Sequence, residues 1–251
     1  MIIDAHAHSD EFYETGWIDP PEKVLEYMEM AEIDMACIST YCNAPGFNPN
    51  AVKYIANACK KYPKQLIPYV RLDPNHGDKT IETLKESIEV YGFKGVKLHP
   101  VDYALPAFAP TVIKILKIAG EYGLPVLFHC SDELMCLPLE IEAGIEEAED
   151  TIIVLGHMGG FYHQDDAIEI AKRHNNVYLE TCEQPFTRGI YKAVCELGAE
   201  RVLFGTDMPT DNPILEVEKI RCAGLGKEAE DKIFYKNIAR LLKLDVERNL
   251  K

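Results

Sequence analysis

The 251 residues include one tryptophan, no C-x-x-C pair and no apolar run of membrane-spanning length. The missing run excludes a helix across a bilayer, which takes roughly 20 apolar residues. Eight cysteines (37, 42, 59, 130, 136, 182, 195 and 222) are scattered through a chain long enough to build its own core. Reduced thiols are therefore expected rather than a disulfide framework. Basic residues are scarce: 26 Lys and Arg stand against 41 Asp and Glu, a net charge of -15. Broad nucleic-acid or anionic-membrane binding needs a basic surface, so this balance argues against both. A small anionic substrate remains open, because one buried Arg or Lys reverses a local field. The first residues read as a strand carrying Asp4 and His6, without a basic n-region or an apolar h-region. No signal peptide is expected, and a cytoplasmic location follows. Also missing are a linker, a low-complexity tract, an internal repeat and a phosphate-binding glycine loop after the first strand. That loop would mark a doubly wound sheet; H-A-H-S-D stands there instead.

What is present is alternation. Strand-like runs fall at 2–5, 35–39, 66–70, 95–98, 126–128, 152–155, 177–179 and 202–204. Amphipathic stretches separate them. Residues 79–91 place Ile81, Leu84 and Ile88 on one side and Glu82, Lys85, Glu86 and Glu89 on the other. Residues 21–31 and 111–122 follow the same period, and 232–244 reads as a last helix on the barrel. Spacings of three and four are helical. Eight strands alternating with helices in one chain of this length predict an α/β (β/α)8 TIM barrel, a single domain over residues 1–251.

Five candidate ligands stand at strand ends: His6 and His8 in I-I-D-A-H-A-H, His129 in P-V-L-F-H, His157 in I-I-V-L-G-H and Asp207 in R-V-L-F-G-T-D. Strand alternation predicts that Asp4, His6 and His8 share a face, as do Leu203, Gly205 and Asp207. It pairs Leu127 with His129 and Leu155 with His157. Taken singly, each residue has an ordinary explanation: a solvated strand, a core histidine, a turn cap before Pro209. Together they converge on the C-terminal rim, where barrels carry their active sites. Neutral imidazoles and a carboxylate are what Zn2+ or a similar divalent ion takes from a protein that keeps a coordination position open. Asp4 either orients His6 or binds backbone.

These motifs, with G-F-K-G-V-K-L-H-P, V-L-G-H-M-G-G, V-L-F-G-T-D-M-P and N-I-A-R-L-L, resemble the amidohydrolase superfamily over essentially the whole chain. The resemblance is to the branch that includes aminocarboxymuconate-semialdehyde decarboxylase. It implies a metal held by His6, His8, His129 and Asp207, with His157 as a catalytic acid/base or polariser. Lys97 complicates this. In two-metal relatives a lysine there is carboxylated and bridges two ions; otherwise it grips a substrate carboxylate or pairs with an acidic neighbour. One ion is the reading adopted, with His99 beside Lys97 on the same face as a further substrate contact.

Arg71 is expected to hold a carboxylate by its planar fork or to pair with Asp73 or another rim acid. Glu180, Thr181 and Arg188 stand at or after strand seven. Phe12, Tyr13 and Trp17 either wall the pocket or pack their own loop. Cys130 and Cys182 read as small packing residues.

The first expectation is a hydrolase acting on a small amide, lactone or related carboxyl derivative. Asp207 takes a proton from the metal-activated water and His157 steadies the oxyanion. The rival is a lyase releasing CO2 from a small oxo or hydroxy carboxylate. A TatD-like nuclease is disfavoured by Lys97, where that family supplies a glutamate. A binding barrel without catalysis is disfavoured by the intact ligand set. The partner is a small molecule, and the oligomeric state stays open because rim loops and outer helices could each pair.

Overall fold

The computed structural model describes residues 1–13, 16–46 and 48–246; the end of the expected 1–251 domain lies outside them. Among the described residues ten strands run in chain order: β1 Ile3–His8, β2 Asp10–Phe12, β3 Trp17–Asp19, β4 Met35–Ser39, β5 Leu66–Arg71, β6 Gly95–Leu98, β7 Val126–Phe128, β8 Ile153–Leu155, β9 Val177–Glu180 and β10 Val202–Leu203. β2 and β3 form an antiparallel hairpin, and the other eight make one sheet in sequential order, each pair parallel. Backbone bonds close it into a barrel: Asp207 N to His6 O at 2.8 Å and His8 N to Met208 O at 2.8 Å. The expected (β/α)8 TIM barrel is therefore the fold.

The crossover helices form where the 3.6-residue period placed them. The helix Pro110–Tyr122 starts with proline at its first position and buries Val112, Ile115, Leu116 and Ala119. It ends at Gly123, whose φ of 66 allows the N–H to return to Ala119 O. No helix among the described residues is long and apolar enough to cross a membrane.

Two apolar layers result. Val96, Phe128, Leu155 and Val202 face the helices. Ile3, Met35, Ile67, Tyr69, Leu127 and Val154 fill the barrel floor. Gly95 makes room there, since a Cβ on it would stand 2.3 Å from the Tyr69 ring.

Alternation fails at two places, and both build the site. In β1 the register with β4 shifts between Asp4 and Ala7. Ile3 and Ala5 belong to the floor while Ala7 faces outward, so the expected common face of Asp4, His6 and His8 is re-aimed by a bulge. At β8, Leu155 faces the helices, yet His157 reaches the interior. Its left-handed backbone (φ 59) reverses the alternation that paired it with Leu155. β10 is short because its following donors go elsewhere: Phe204 N to Ile233 O at 3.1 Å and Thr206 N to Asp4 Oδ1 at 3.0 Å.

The last helix also differs from expectation. It begins at Lys227, passes through a π-helical turn at Lys232–Lys236, and ends as Asn237–Leu241. Buried Asn237 donates to Ala199 O and Val202 O, both at 2.8 Å, which ties this segment to the barrel.

Candidate active site

The rim brings the expected residues together in two connected groups. In the first, Asp207 Oδ1 lies 3.1 Å from His6 Nε2 and 2.9 Å from His8 Nε2. Donors around one zinc ion bound at about 2.0–2.1 Å stand roughly 3.3 Å apart. Asp207 Oδ1 is buried without a hydrogen-bond partner. Two nitrogens converge on an oxygen that bonds to neither. This arrangement fits a divalent cation.

The second group is His129 and His157. His157 Nε2 lies 3.0 Å from His129 Nδ1. His129 Nε2 faces Glu133 Oε2 at 3.5 Å. His129 thus borders the same cavity without joining the compact trio of His6, His8 and Asp207.

Burial dominates the electrostatics. It lowers the pKa of His6, His8, His129 and His157, keeping each imidazole neutral and able to offer a lone pair. For Asp207 burial works upward, but His6 and His8 outweigh it and hold the carboxyl well below its usual range. Burial also lowers Lys97 to about 8; its Nζ stands 2.6 Å from His6 Nε2. His99, stacked on His129 at 4.0 Å, is likewise held neutral by burial.

A cavity of about 230 Å³ opens here. Its cations are Arg71 and Lys97. Trp17 stacks on Tyr41 at 4.0 Å and Tyr41 on His8 at 4.6 Å, giving it one flat wall. His99 and His129 give another. Arg71 pairs with Asp102, not Asp73, and its Nε donates to Asn43 Oδ1 at 2.8 Å. Phe12, Tyr13 and Arg188 do not line this cavity.

Three side chains do more than the sequence suggested. Glu180 Oε2 accepts from His6 Nδ1 at 2.9 Å. Cys182, expected as packing, places Sγ 3.2 Å from both His6 Nδ1 and His157 Nδ1 and donates to Glu180 Oε2 at 3.0 Å. Glu183 Oε2 stands 3.1 Å from His157 Nδ1. Asp4 does not touch the His6 ring. It accepts from the His6 backbone at 2.9 Å and from Thr206 N at 3.0 Å. Cys130 packs in the core as expected, and Thr181 is buried with its hydroxyl unpartnered.

The amidohydrolase family model matches residues 3–244. The chain belongs to the amidohydrolase family. Relatives of this family member include the gamma-resorcylate decarboxylase of a Rhizobium species, 22% identical over 76% of this chain and 74% of the relative. A 2,6-dihydroxybenzoate decarboxylase complexed with 2,6-dihydroxybenzoate has the same fold, with TM-score 0.76, 18% identity and 98% of each chain covered. So does a dihydroxybenzoic acid decarboxylase from Polaromonas with bound manganese and 2-nitroresorcinol, with TM-score 0.76, 17% identity, and 99% of this chain and 98% of that one covered. These amidohydrolase relatives bear out the expected branch of metal-dependent enzymes. Their names match the lyase expectation more closely than the hydrolase one.

Proposed function

We propose that this protein is a divalent-metal-dependent, non-oxidative decarboxylase of a small hydroxylated aromatic carboxylate. One observation carries the reading: Arg71 and Lys97, two cations, share a flat-walled cavity of about 230 Å³ with His8, His129 and Asp207. The names of the relatives support it.

His6, His8, His129 and Asp207 would hold the ion, which when bound supplies positive charge that polarises a substrate oxygen. Three imidazoles and a carboxylate suit Zn2+; the manganese of the Polaromonas protein makes Mn2+ the other ion to load. We take a single ion, with Lys97 as an ammonium beside it rather than a bridging carbamate; Lys97 Nζ stands 2.6 Å from His6 Nε2.

The chain's own groups then divide the work. Arg71 binds and orients the carboxylate by its fork, and Lys97 and His99 stand beside it. Trp17 and Tyr41 cover one ring face and exclude water from it. Asp207 takes the phenolic proton and passes it to the ring carbon bearing the carboxylate. That carbon–carbon bond breaks, CO2 leaves, and the phenolate takes a proton from solvent. His157 steadies His129 and the charge near Asp207.

The test is product identity. Metal-loaded protein given 2,6-dihydroxybenzoate and related hydroxybenzoates is expected to release CO2 and the matching phenol, and chelation is expected to stop it. No CO2 from such a panel, together with water addition to amides or lactones, would return the hydrolytic reading.

A further inference from the structure

The cavity that holds two cations also holds a second carboxylate besides Asp207. Asp102 lines it, on a one-turn helix, Pro100–Tyr103, that directly follows β6 and His99. The turn is fastened at both ends. Asp102 N donates to His99 O at 3.0 Å, and Asn75 Nδ2 donates to Tyr103 O at 2.7 Å. Tyr103 between them is buried. Asp102 is therefore held at the mouth rather than trailing in solvent, although its side chain keeps 36% of its exposure.

The two oxygens of Asp102 differ. Oδ2 accepts from Arg71 Nη2. Oδ1 stands 3.3 Å from His99 Nδ1, yet that nitrogen is buried without a hydrogen-bond partner, so no bond joins them. Among the described residues Oδ1 meets no donor. It is an open, charged acceptor inside the cavity.

Arg71 is divided in the same way. Nε donates to Asn43 Oδ1 at 2.8 Å and Nη2 to Asp102. Nη1 has no partner among the described residues. A guanidinium carries its donors in one plane at fixed angles. A substrate carboxylate that takes the free end of the fork therefore lies beside Asp102, anion next to anion. A bare ring edge there would leave the two to repel. A hydroxyl on the ring carbon next to the carboxylate-bearing one would stand between them and donate to Oδ1.

We propose that Asp102 is a specificity-determining residue that reads a hydroxyl beside the substrate carboxylate. The site then takes benzoates with a hydroxyl on each side of that group: one faces Asp207 and the ion, the other Asp102. This deepens the decarboxylase reading and rests on its substrate class. It adds a requirement that the metal ligands do not impose. A site built to bond a hydroxyl discriminates against the analogue that lacks it.

The experiment measures dissociation constants by calorimetry with full-length, Zn2+-loaded protein. The ligands are 2,6-dihydroxybenzoate, 2-hydroxybenzoate and 2-hydroxy-6-methoxybenzoate. The wild type is expected to bind the first about tenfold more tightly than the other two, the lower end for a charge-assisted bond, because Asp102 is partly solvated. Asp102→Ala is expected to abolish that preference. Asp102→Asn, whose amide oxygen still accepts, is expected to keep part of it. No preference in the wild type, including no binding of any of the three, overturns the proposal. So does a preference that persists in Asp102→Ala. Equal weakening of all three ligands in both variants also overturns it, since Asp102 would then only support Arg71. CO2 release is followed separately. The expected preference without CO2 leaves Asp102 its role and overturns the decarboxylase, whereas CO2 without the preference overturns only the role of Asp102.

Discussion

Glu180 Oε2 stands 2.9 Å from His6 Nδ1, and both side chains are almost wholly buried. Burial alone pushes this carboxyl up. Yet it also accepts from Cys182 N at 2.6 Å and from the Cys182 thiol at 3.0 Å, an arrangement that calls for an acceptor at every contact. The pair leaves the His6 lone pair on Nε2, where Asp207 waits. Glu180→Ala is expected to weaken Zn2+ or Mn2+ binding 10–100-fold. Competition against a chelator of known affinity measures it, and wild-type affinity in the variant would remove Glu180 from the site.

Gly205 holds Glu180 in place by having no side chain. A Cβ there would lie 2.2 Å from Glu180 Oε1 and 2.5 Å from its Cδ. Gly205→Ala is therefore expected to weaken ion binding much as Glu180→Ala does, and to cost about 1–3 kcal/mol of stability. Gly95→Ala is the control. Its Cβ would strike Tyr69 at the barrel floor, 2.3 Å from Cζ, so a similar loss of stability is expected with ion affinity intact. Equal effects of the two variants on ion binding would show that general destabilisation, not Glu180, is responsible.

The contrast between these residues explains what could be read from sequence. Strands and helices declare themselves through local periods of two and 3.6. The ligand candidates stand at strand ends, so the barrel and its rim were legible. Glu180 was visible only as a polar residue at a strand end, because its partner His6 lies 174 positions away. Asp4 binds Thr206 across 202 positions, and no spacing rule joins them. Face assignments failed where the β1 bulge and the left-handed His157 interrupt alternation. Both interruptions sit at the site, where local rules yield to the geometry that the side chains require.

Lys97 sets a pH dependence of its own. Burial lowers it from its usual 10.5 to about 8 in the folded protein. Between those values the unfolded chain binds the extra proton, so stability rises as pH climbs from about 8 to 10.5. Below that window the buried ammonium is a standing cost, on the order of 3 kcal/mol. Lys97→Met, in chelator-treated protein, is expected to be more stable than the wild type at pH 7 and to lose that advantage in alkali. Denaturant midpoints across the window measure this. Parallel curves for the two proteins would mean that Lys97 is not paying a desolvation cost.

Arg71 and Asp207 are expected to separate binding from chemistry. Arg71 offers a planar fork to a carboxylate, and lysine cannot reproduce that geometry. A charge-assisted hydrogen bond contributes about 1.5–3 kcal/mol, so Arg71→Lys is expected to raise KM for a hydroxybenzoate by about tenfold or more with a smaller change in kcat. Asp207→Asn keeps the shape and removes the proton carrier. Its kcat is expected to fall about 10²–10⁴-fold, with the fold intact and KM changed far less. Bound ion must be measured in the same samples, because Asp207 Oδ1 also faces His6 and His8. If Asp207→Asn retains its ion and turns over at the wild-type rate, proton transfer belongs to another residue, and His157 becomes the first to examine.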